Sequence, residues 1–524
     1  VSLKGTEIGW SRGRQVPVEE YDNLYKRFNP TKFDADAWAR TAKRAGMKYL
    51  VLTSKHHDGF CLWPSEVTDY DIAATPFKRD ILAELAAACK REAIVFSVYH
   101  SICDWHHPDY PTGSPGGRSA KPNPNMDRYV RYMHAQLREI VTRYYGDRGV
   151  LWFDGEWEKP WNGDYARATV RLLRGLKPNI LINNRVGKGR HGMAGTTGKA
   201  AAPGDFDTPE QTVGRFQNDR PWESCITICR QWAWKPDDNM KSLAECVRTL
   251  VRCAGGDGNL LLNVGPMPDG RIEPRQVRRL EEIGDWLATR GESIYGTRGG
   301  PFKPGPYGAS TRKGNRIYLH VFDWRDGAAL LPPIGPTVTG ARILGGGKAE
   351  VEQTDEGLTV RVPEADRDPI DTVIVLDLDA PAAGIEPVAW ASGSVATGKK
   401  ATASNVYRKD VAHYGAAKAV DDDPHTRWAT DNGTREAHLE VDLGKPARIG
   451  CVTIDECVAY GQRVKRFRVE VEVNGAWQTV LEGDTIGRHF TRTIDPVTAR
   501  RVRLSILEAT DGPTIWEFQL FPDK

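Results

Sequence analysis

Three stretches of this 524-residue chain bring together side chains able to do acid–base or nucleophilic chemistry. Lys55-His56-His57-Asp58-Gly59-Phe60-Cys61-Leu62-Trp63 directly follows an apolar run. Leu151-Trp152-Phe153-Asp154-Gly155-Glu156-Trp157 closes another such run with an acid. Gly204-Asp205-Phe206-Asp207-Thr208-Pro209-Glu210 reads as a loop, with Trp222-Glu223 shortly behind it. Two carboxyls are what a covalent displacement needs: one ionised to attack, one protonated to release the leaving group. Each stretch also has a plainer reading. An Asp ending a strand caps the next helix, and a glutamate beside Trp222 suits a surface ion pair. Two adjacent histidines without an i, i+4 partner or a carboxylate at ligand spacing do not make a zinc site.

These residues have to be positioned by something regular. Short apolar runs at 49–53, 94–99, 150–153, 180–183, 224–229 and 260–264 alternate with amphipathic stretches at 34–45, 81–91, 125–144, 165–176, 241–253 and 274–289. Strands alternating with helices of this length predict βα units around a parallel sheet. Nearly 300 residues of that pattern, without a G-x-G-x-x-G turn, predict a TIM-like (β/α) barrel rather than a dinucleotide fold. In a barrel all strand C-termini open on one face, so acids and histidines after different strands converge there. Gly and Pro break the pattern at 297–306, and period-two alternation follows at 316–321, 357–362 and 372–378. A second break at 380–387 leads to another strand-rich region. The expected domains are an α/β barrel over 1–298, a small β-sandwich over 299–380 and a second β-sandwich over 388–524.

Composition excludes several other classes. Charge is nearly balanced, 72 basic against 69 acidic residues, so no strong field points to nucleic acid. No apolar run reaches the ~18 residues of a membrane span, so no membrane insertion is expected. The 16 Trp suit flat sugar-gripping surfaces as well as core packing. Nine cysteines, an odd number without regular spacing, give little support to a disulfide framework.

The motifs KYLVLTSKHHDGFCLWPSEVTDYDI, LWFDGEWE, INNRVGKGRHGMAG, GDFDTPEQ, WESCITI and NLLLNVGPMPDG resemble, in order and over residues 5–298, the α-L-fucosidases of glycoside hydrolase family 29. WSRG, NNRVGKGR and GDFDTPEQ look more like the branch selective for α-1,3/1,4-linked fucose. The resemblance implies a retaining hydrolase of fucosylated oligosaccharides or glycoconjugates, without a catalytic cofactor. It makes Asp154 the nucleophile and Glu210 the acid/base, with Glu223 the alternative. Retaining enzymes set two such carboxyls ~5–5.5 Å apart. It further implies that His56, His57 and Arg185 bind sugar hydroxyls and ring oxygen, that Trp63 and Trp152 wall the pocket, and that Trp232 meets the 6-methyl group. His100, after Tyr99, stands where a tyrosine is more usual and is a further substrate-binding candidate.

A second resemblance covers the last ~135 residues. GKKATASNVY, AKAVDDDPHTRWAT, LEVDLGKPARIGCVTIDE and RRVRLSILEATDGPTIWEFQLF look like a discoidin, or F5/8 type C, carbohydrate-binding module of family 32. That likeness implies a structural Ca²⁺ held by Asp421, Asp423, Thr426 and Glu517, and sugar loops that include His413 and Tyr414. A secreted, periplasmic or cell-surface enzyme is expected. The rival readings are a non-catalytic, lectin-like fucose or galactose binder and an α-galactosidase, which would need a polar partner for a 6-hydroxyl near Trp232. Family members also begin with a strand ending in a His-Trp-Gly motif. VSLKG looks like the loop after it, so the resemblance implies that this first barrel strand and its histidine lie outside the sequence.

Overall fold

The computed structural model describes residues 8–197, 204–305, 307–324, 327–389, 392–423, 426–458 and 461–523. The first part is barrel-like. Strands β1 (Tyr49–Lys55), β2 (Val95–Ser101), β3 (Val150–Asp154) and β4 (Leu181–Ile182) pair in parallel in that order, and β5 (Glu223–Thr227) pairs in parallel with β6 (Asn259–Asn263). Between the two groups runs a strand reduced to single bridges, Asn183 to Phe206 and Asp207 to Trp222. This is the stretch expected to be a loop. With so few ladder bonds its sequence carries no alternating signal.

The helices form where local chemistry starts them. Helix α1 (Ala35–Arg44) is capped by Asp34, which accepts from the Ala37 amide at 2.9 Å, and it buries Ala35, Ala39 and Ala42 along one stripe. Asp80 and Asn125 cap α2 (Ile81–Arg91) and α3 (Met126–Arg143) in the same way. Asn162 caps α4 (Gly163–Leu176). Ser242 and Glu245 form a reciprocal capping box on α5 (Leu243–Gly255), and Pro274 opens α6 (Pro274–Arg290).

The helical layer closes where the sheet does not. Among the described residues β1 and β6 have no strand between them. Helices α1 and α6 nevertheless touch, so closely at Gly284 that a Cβ there would lie 2.0 Å from the Arg44 carbonyl oxygen. Along the seam residues 49–52 of β1 and 260–263 of β6 are half-buried and Thr53 and Asn259 exposed, whereas β3 and β5 are buried throughout.

Two β regions follow. The first sets a five-stranded sheet (Arg298–Gly299, Gly308–Lys313, Arg316–Val321, Thr372–Leu378, Val338–Ile343) against a three-stranded one (Ala328–Leu331, Gly357–Arg361, Glu350–Thr354) around a core of its own. Ala382, Ile385 and Val388 belong to that core, and Val388 exchanges main-chain bonds with Pro301 and Lys303. The segment expected as a linker is therefore the closing edge of this unit. The last region is an antiparallel β-sandwich built on two bent twenty-residue strands, Ala437–Glu456 and Phe490–Ala509.

Candidate active site

At the open end of the barrel, Asp154 closes β3 and is nearly buried. Its Oδ1 accepts from Arg185 Nη1 at 2.8 Å and its Oδ2 from the Tyr99 hydroxyl at 2.9 Å. Arg185 Nη2 donates to Glu210 Oε2 at 2.9 Å, so one guanidinium fork holds both carboxyls. The fork is fixed in turn by Thr208, which accepts from Nε at 2.9 Å, and by the Trp152 ring, 4.5 Å below the guanidinium carbon. Burial alone would raise the Asp154 pKa. The charge of Arg185, with the bonds from Arg185 and Tyr99, outweighs it and holds the carboxyl below the usual carboxylate range. Asp154 is therefore an anion at neutral pH.

The histidines are set by a clamp between two loops. Lys55 and Asp104, both buried, pair at 3.1 Å, and the Trp105 amide donates to the His57 carbonyl at 2.8 Å. Gly59 (φ +82°) passes so close that a Cβ would meet Asp104 Oδ1 at 2.2 Å. His57 Nε2 lies 3.6 Å from Asp154 Oδ2. Ser101 donates its hydroxyl proton to the Cys103 carbonyl at 2.9 Å, so His57 Nδ1 is the donor to Ser101 Oγ at 2.5 Å. Burial first, then the neighbouring His56 charge, pushes the His57 pKa well down, leaving a neutral ring whose Nε2 accepts. His56 stacks on Tyr99 at 5.5 Å, and Tyr99 on Trp152 at 5.7 Å. Half-buried Trp232 packs against the same cluster.

Asp154, Glu210, His56, His57, Trp152, Arg185 and Trp232 thus come together. Three candidates do not. Strand β2 alternates, so Tyr99 faces the pocket and His100 the helical layer. There His100 is fully buried, with Nδ1 3.1 Å from Ser54 Oγ and its ring 6.1 Å from that of Trp63. Trp63 is likewise core: its indole N–H donates to Glu139 on α3 at 2.8 Å. Glu223 begins β5 and sits level with Asp207, at the closed end of the barrel, where it accepts from Trp152 (3.1 Å), Asn259 (2.9 Å) and the Tyr49 hydroxyl. Glu210 pairs beside Cys225, further toward the open face. Tyr99 is the site residue the sequence reading missed, although period-two alternation along β2 would have found it.

In the C-terminal region, Thr426 Oγ1 donates to Asp421 Oδ1 at 2.7 Å, and the Asp423 amide reaches the same oxygen at 3.2 Å. Glu517 is buried, and among the described residues neither carboxylate oxygen has a donor at hydrogen-bonding geometry. Burial, with Asp422, Asp421 and Asp455 beside it, pushes this carboxyl up to about 9. Among the described residues no three His, Cys, Asp or Glu side chains close on one point, so an ion here would also need main-chain or hydroxyl oxygens.

Comparison with known proteins identifies the family. The family described as Alpha-L-fucosidase matches residues 11–292, more than half of the chain. The chain belongs to the α-L-fucosidase family. It is a glycoside hydrolase, and its residues 400–518 match the F5/8 type C domain. Among solved structures, α-L-fucosidase isoenzyme 1 of Paenibacillus thiaminolyticus is 37% identical (TM-score 0.63; 70% of this chain, 91% of that one). The α-L-fucosidase of Bacteroides thetaiotaomicron is 32% identical (TM-score 0.64; 72% and 90%). Tissue α-L-fucosidase of Bos taurus is 30% identical over 367 residues, 66% of this chain and 74% of its own length. Among the described residues no helix of this fucosidase is long and apolar enough to cross a membrane.

Proposed function

We propose that this fucosidase works by double displacement, with Asp154 as nucleophile and Glu210 as acid/base. The observation that carries the reading is the Arg185 fork, bonded to Asp154 on one nitrogen and to Glu210 on the other. Ionised Asp154 attacks the anomeric carbon while protonated Glu210 gives its proton to the departing oxygen. Glu210 then takes a proton from water, which releases fucose with its original anomeric configuration. Neutral His57 accepts from a sugar hydroxyl at Nε2, His56 offers a second polar contact, and Trp232 supplies an apolar wall for the 6-methyl group. The Bacteroides thetaiotaomicron enzyme has been trapped as a covalent intermediate with 2-fluoro-fucosyl fluoride in a glutamate-to-glutamine mutant. The same reagent tests this chain. Peptide mapping of the Glu210→Gln variant should find the fucosyl adduct on Asp154, and an adduct elsewhere, or release of inverted fucose, would refute the assignment.

The substrates we infer are terminal α-1,3/1,4-linked fucosides of oligosaccharides or glycoconjugates, supported by the WSRG, NNRVGKGR and GDFDTPEQ motifs. Comparing release from Lewis-type and 2′-linked oligosaccharides tests the linkage, and preference for the 2′-linked glycan overturns it. Such substrates, joined to a sugar-binding module, favour a secreted, periplasmic or cell-surface enzyme. In that module the orphaned Glu517 carboxylate fits a bound cation. Asp421, Asp423, Thr426 and Glu517 would hold structural Ca²⁺ through hard oxygen ligands.

A further inference from the structure

Six large apolar side chains stand exposed among the described residues, and two of them flank the reaction centre. Trp157, 42% exposed, follows Asp154 by three positions and lies edge-on to His57 at 5.4 Å. Met193, 52% exposed, lies on the loop beside the acid/base: the Glu210 amide donates to the Met193 carbonyl at 2.9 Å. Between these two loops runs a buried ion pair. Arg190 Nε donates to Glu156 Oε1 at 2.7 Å. Glu156 is only 3% exposed, and its Oε2 has no hydrogen-bond partner among the described residues.

Each feature is unfavourable without a ligand. Exposed Trp and Met surface gains from an apolar cover. A buried carboxyl oxygen without a partner forfeits its full desolvation cost, whether it carries the proton or a lone pair. Burial and the Asp154 charge push the Glu156 pKa up, against the pull of Arg190. A pyranose supplies what is missing, because its C–H face covers the aromatic ring while its hydroxyls donate and accept. Glu210 hands its proton to the leaving oxygen, so the leaving residue must lie on the Glu210 side, where the Met193 loop stands.

We propose that Trp157, Met193 and Glu156 form a subsite for the leaving sugar, a second pyranose of the glycan, with its face on Trp157 and Met193 and a hydroxyl on Glu156 Oε2. The proposal rests on the fucosidase reading above. It makes turnover depend on a sugar leaving group, so the measurement is a ratio. Specificity constants would be compared for α-L-fucosyl fluoride, which has no leaving sugar, and for whichever of a Lewis-type or 2′-linked trisaccharide the wild type cleaves faster. Trp157→Ala should lower the ratio of trisaccharide to fluoride about tenfold, the size of one aromatic contact. Met193→Ala should lower it less, and Glu156→Gln, which keeps an oxygen for Arg190, should lower it several-fold. Equal losses on both substrates in all three variants would overturn the subsite and leave Trp157 a support for His57. Failure of the wild type to hydrolyse the fluoride would instead overturn the fucosidase reading itself.

Discussion

Glu210 and Glu223 can be separated by replacing each with glutamine, because the structure gives them opposite costs. Glu223 is buried and accepts from three donors, Trp152, Asn259 and Tyr49. Glutamine keeps one oxygen and turns an amide N–H₂ either toward Trp152 alone or toward Asn259 and Tyr49 together. With one buried donor left unpaired the loss is about 1–3 kcal/mol, and with two it approaches the upper end or more. At roughly 2–4 °C per kcal/mol for a domain of this size, the barrel transition should fall by about 2–12 °C. Turnover of folded protein should stay within a few-fold. Glu210 accepts from one partner, Arg185, which keeps Asp154 as a counter-ion, so Glu210→Gln should leave the transition within a few degrees. Its rate on oligosaccharides should fall by about 10²–10⁴, the range for a lost general acid, and far less on fucosyl fluoride, whose leaving group needs no proton. Differential scanning calorimetry and steady-state kinetics read both. If Glu223→Gln instead keeps its stability and loses activity only on poor leaving groups, the assignment from strand register is wrong.

Tyr99→Phe removes a donor from an Asp154 carboxyl that the folded site holds below its ordinary range. The acidic limb of the kcat/KM profile should therefore move up by about one pH unit. A depressed carboxyl contributes stability above its unfolded pKa, near 3.9, and loses it as pH falls through the folded value, so the wild type should tolerate acid better than this variant. An unmoved limb would mean that Tyr99 does not tune Asp154. Millimolar Ca²⁺ should raise the melting temperature of the C-terminal module relative to EGTA, and Glu517→Gln should abolish that shift. A shift that survives the substitution places the ion elsewhere. A chain ending at Ala389 should keep small-fucoside turnover, because among the described residues the hydrogen-bond partners of Asp154, Arg185 and Glu210 all lie before residue 298; a folded but inactive truncation would show that the module completes the pocket. Amides of residues 49–53 at the open seam should exchange with deuterium faster than those of residues 95–101, and equal protection would mean that the seam is sealed.

What could be read in advance was whatever periodicity encodes. The barrel helices and six strands follow from apolar spacing and from Asp, Asn and Ser caps, and the two β regions from alternation and Gly-Pro breaks. Phe206 and Asp207 escaped because a strand held by single bridges has no period to detect. His100 was misplaced for the opposite reason: it lies in a strongly patterned strand, but the pattern that predicts burial does not say which side of the sheet a residue faces. Trp63 lies in the irregular segment after β1, where no period exists and the resemblance alone placed it at the pocket. Tyr99 and His100 differ by one position, and in a strand one position is the difference between the pocket and the helical layer. Glu210 and Glu223 differ by register alone, one opposite Cys225 and the other level with Asp207. Arg185 is a harder case. Its type suits an ion pair anywhere, and only the fold brings the end of β3 and the loop before β5 to the two nitrogens of one guanidinium. Replacing it should uncouple two carboxyls at once, which is why the site is better described by that fork than by either acid.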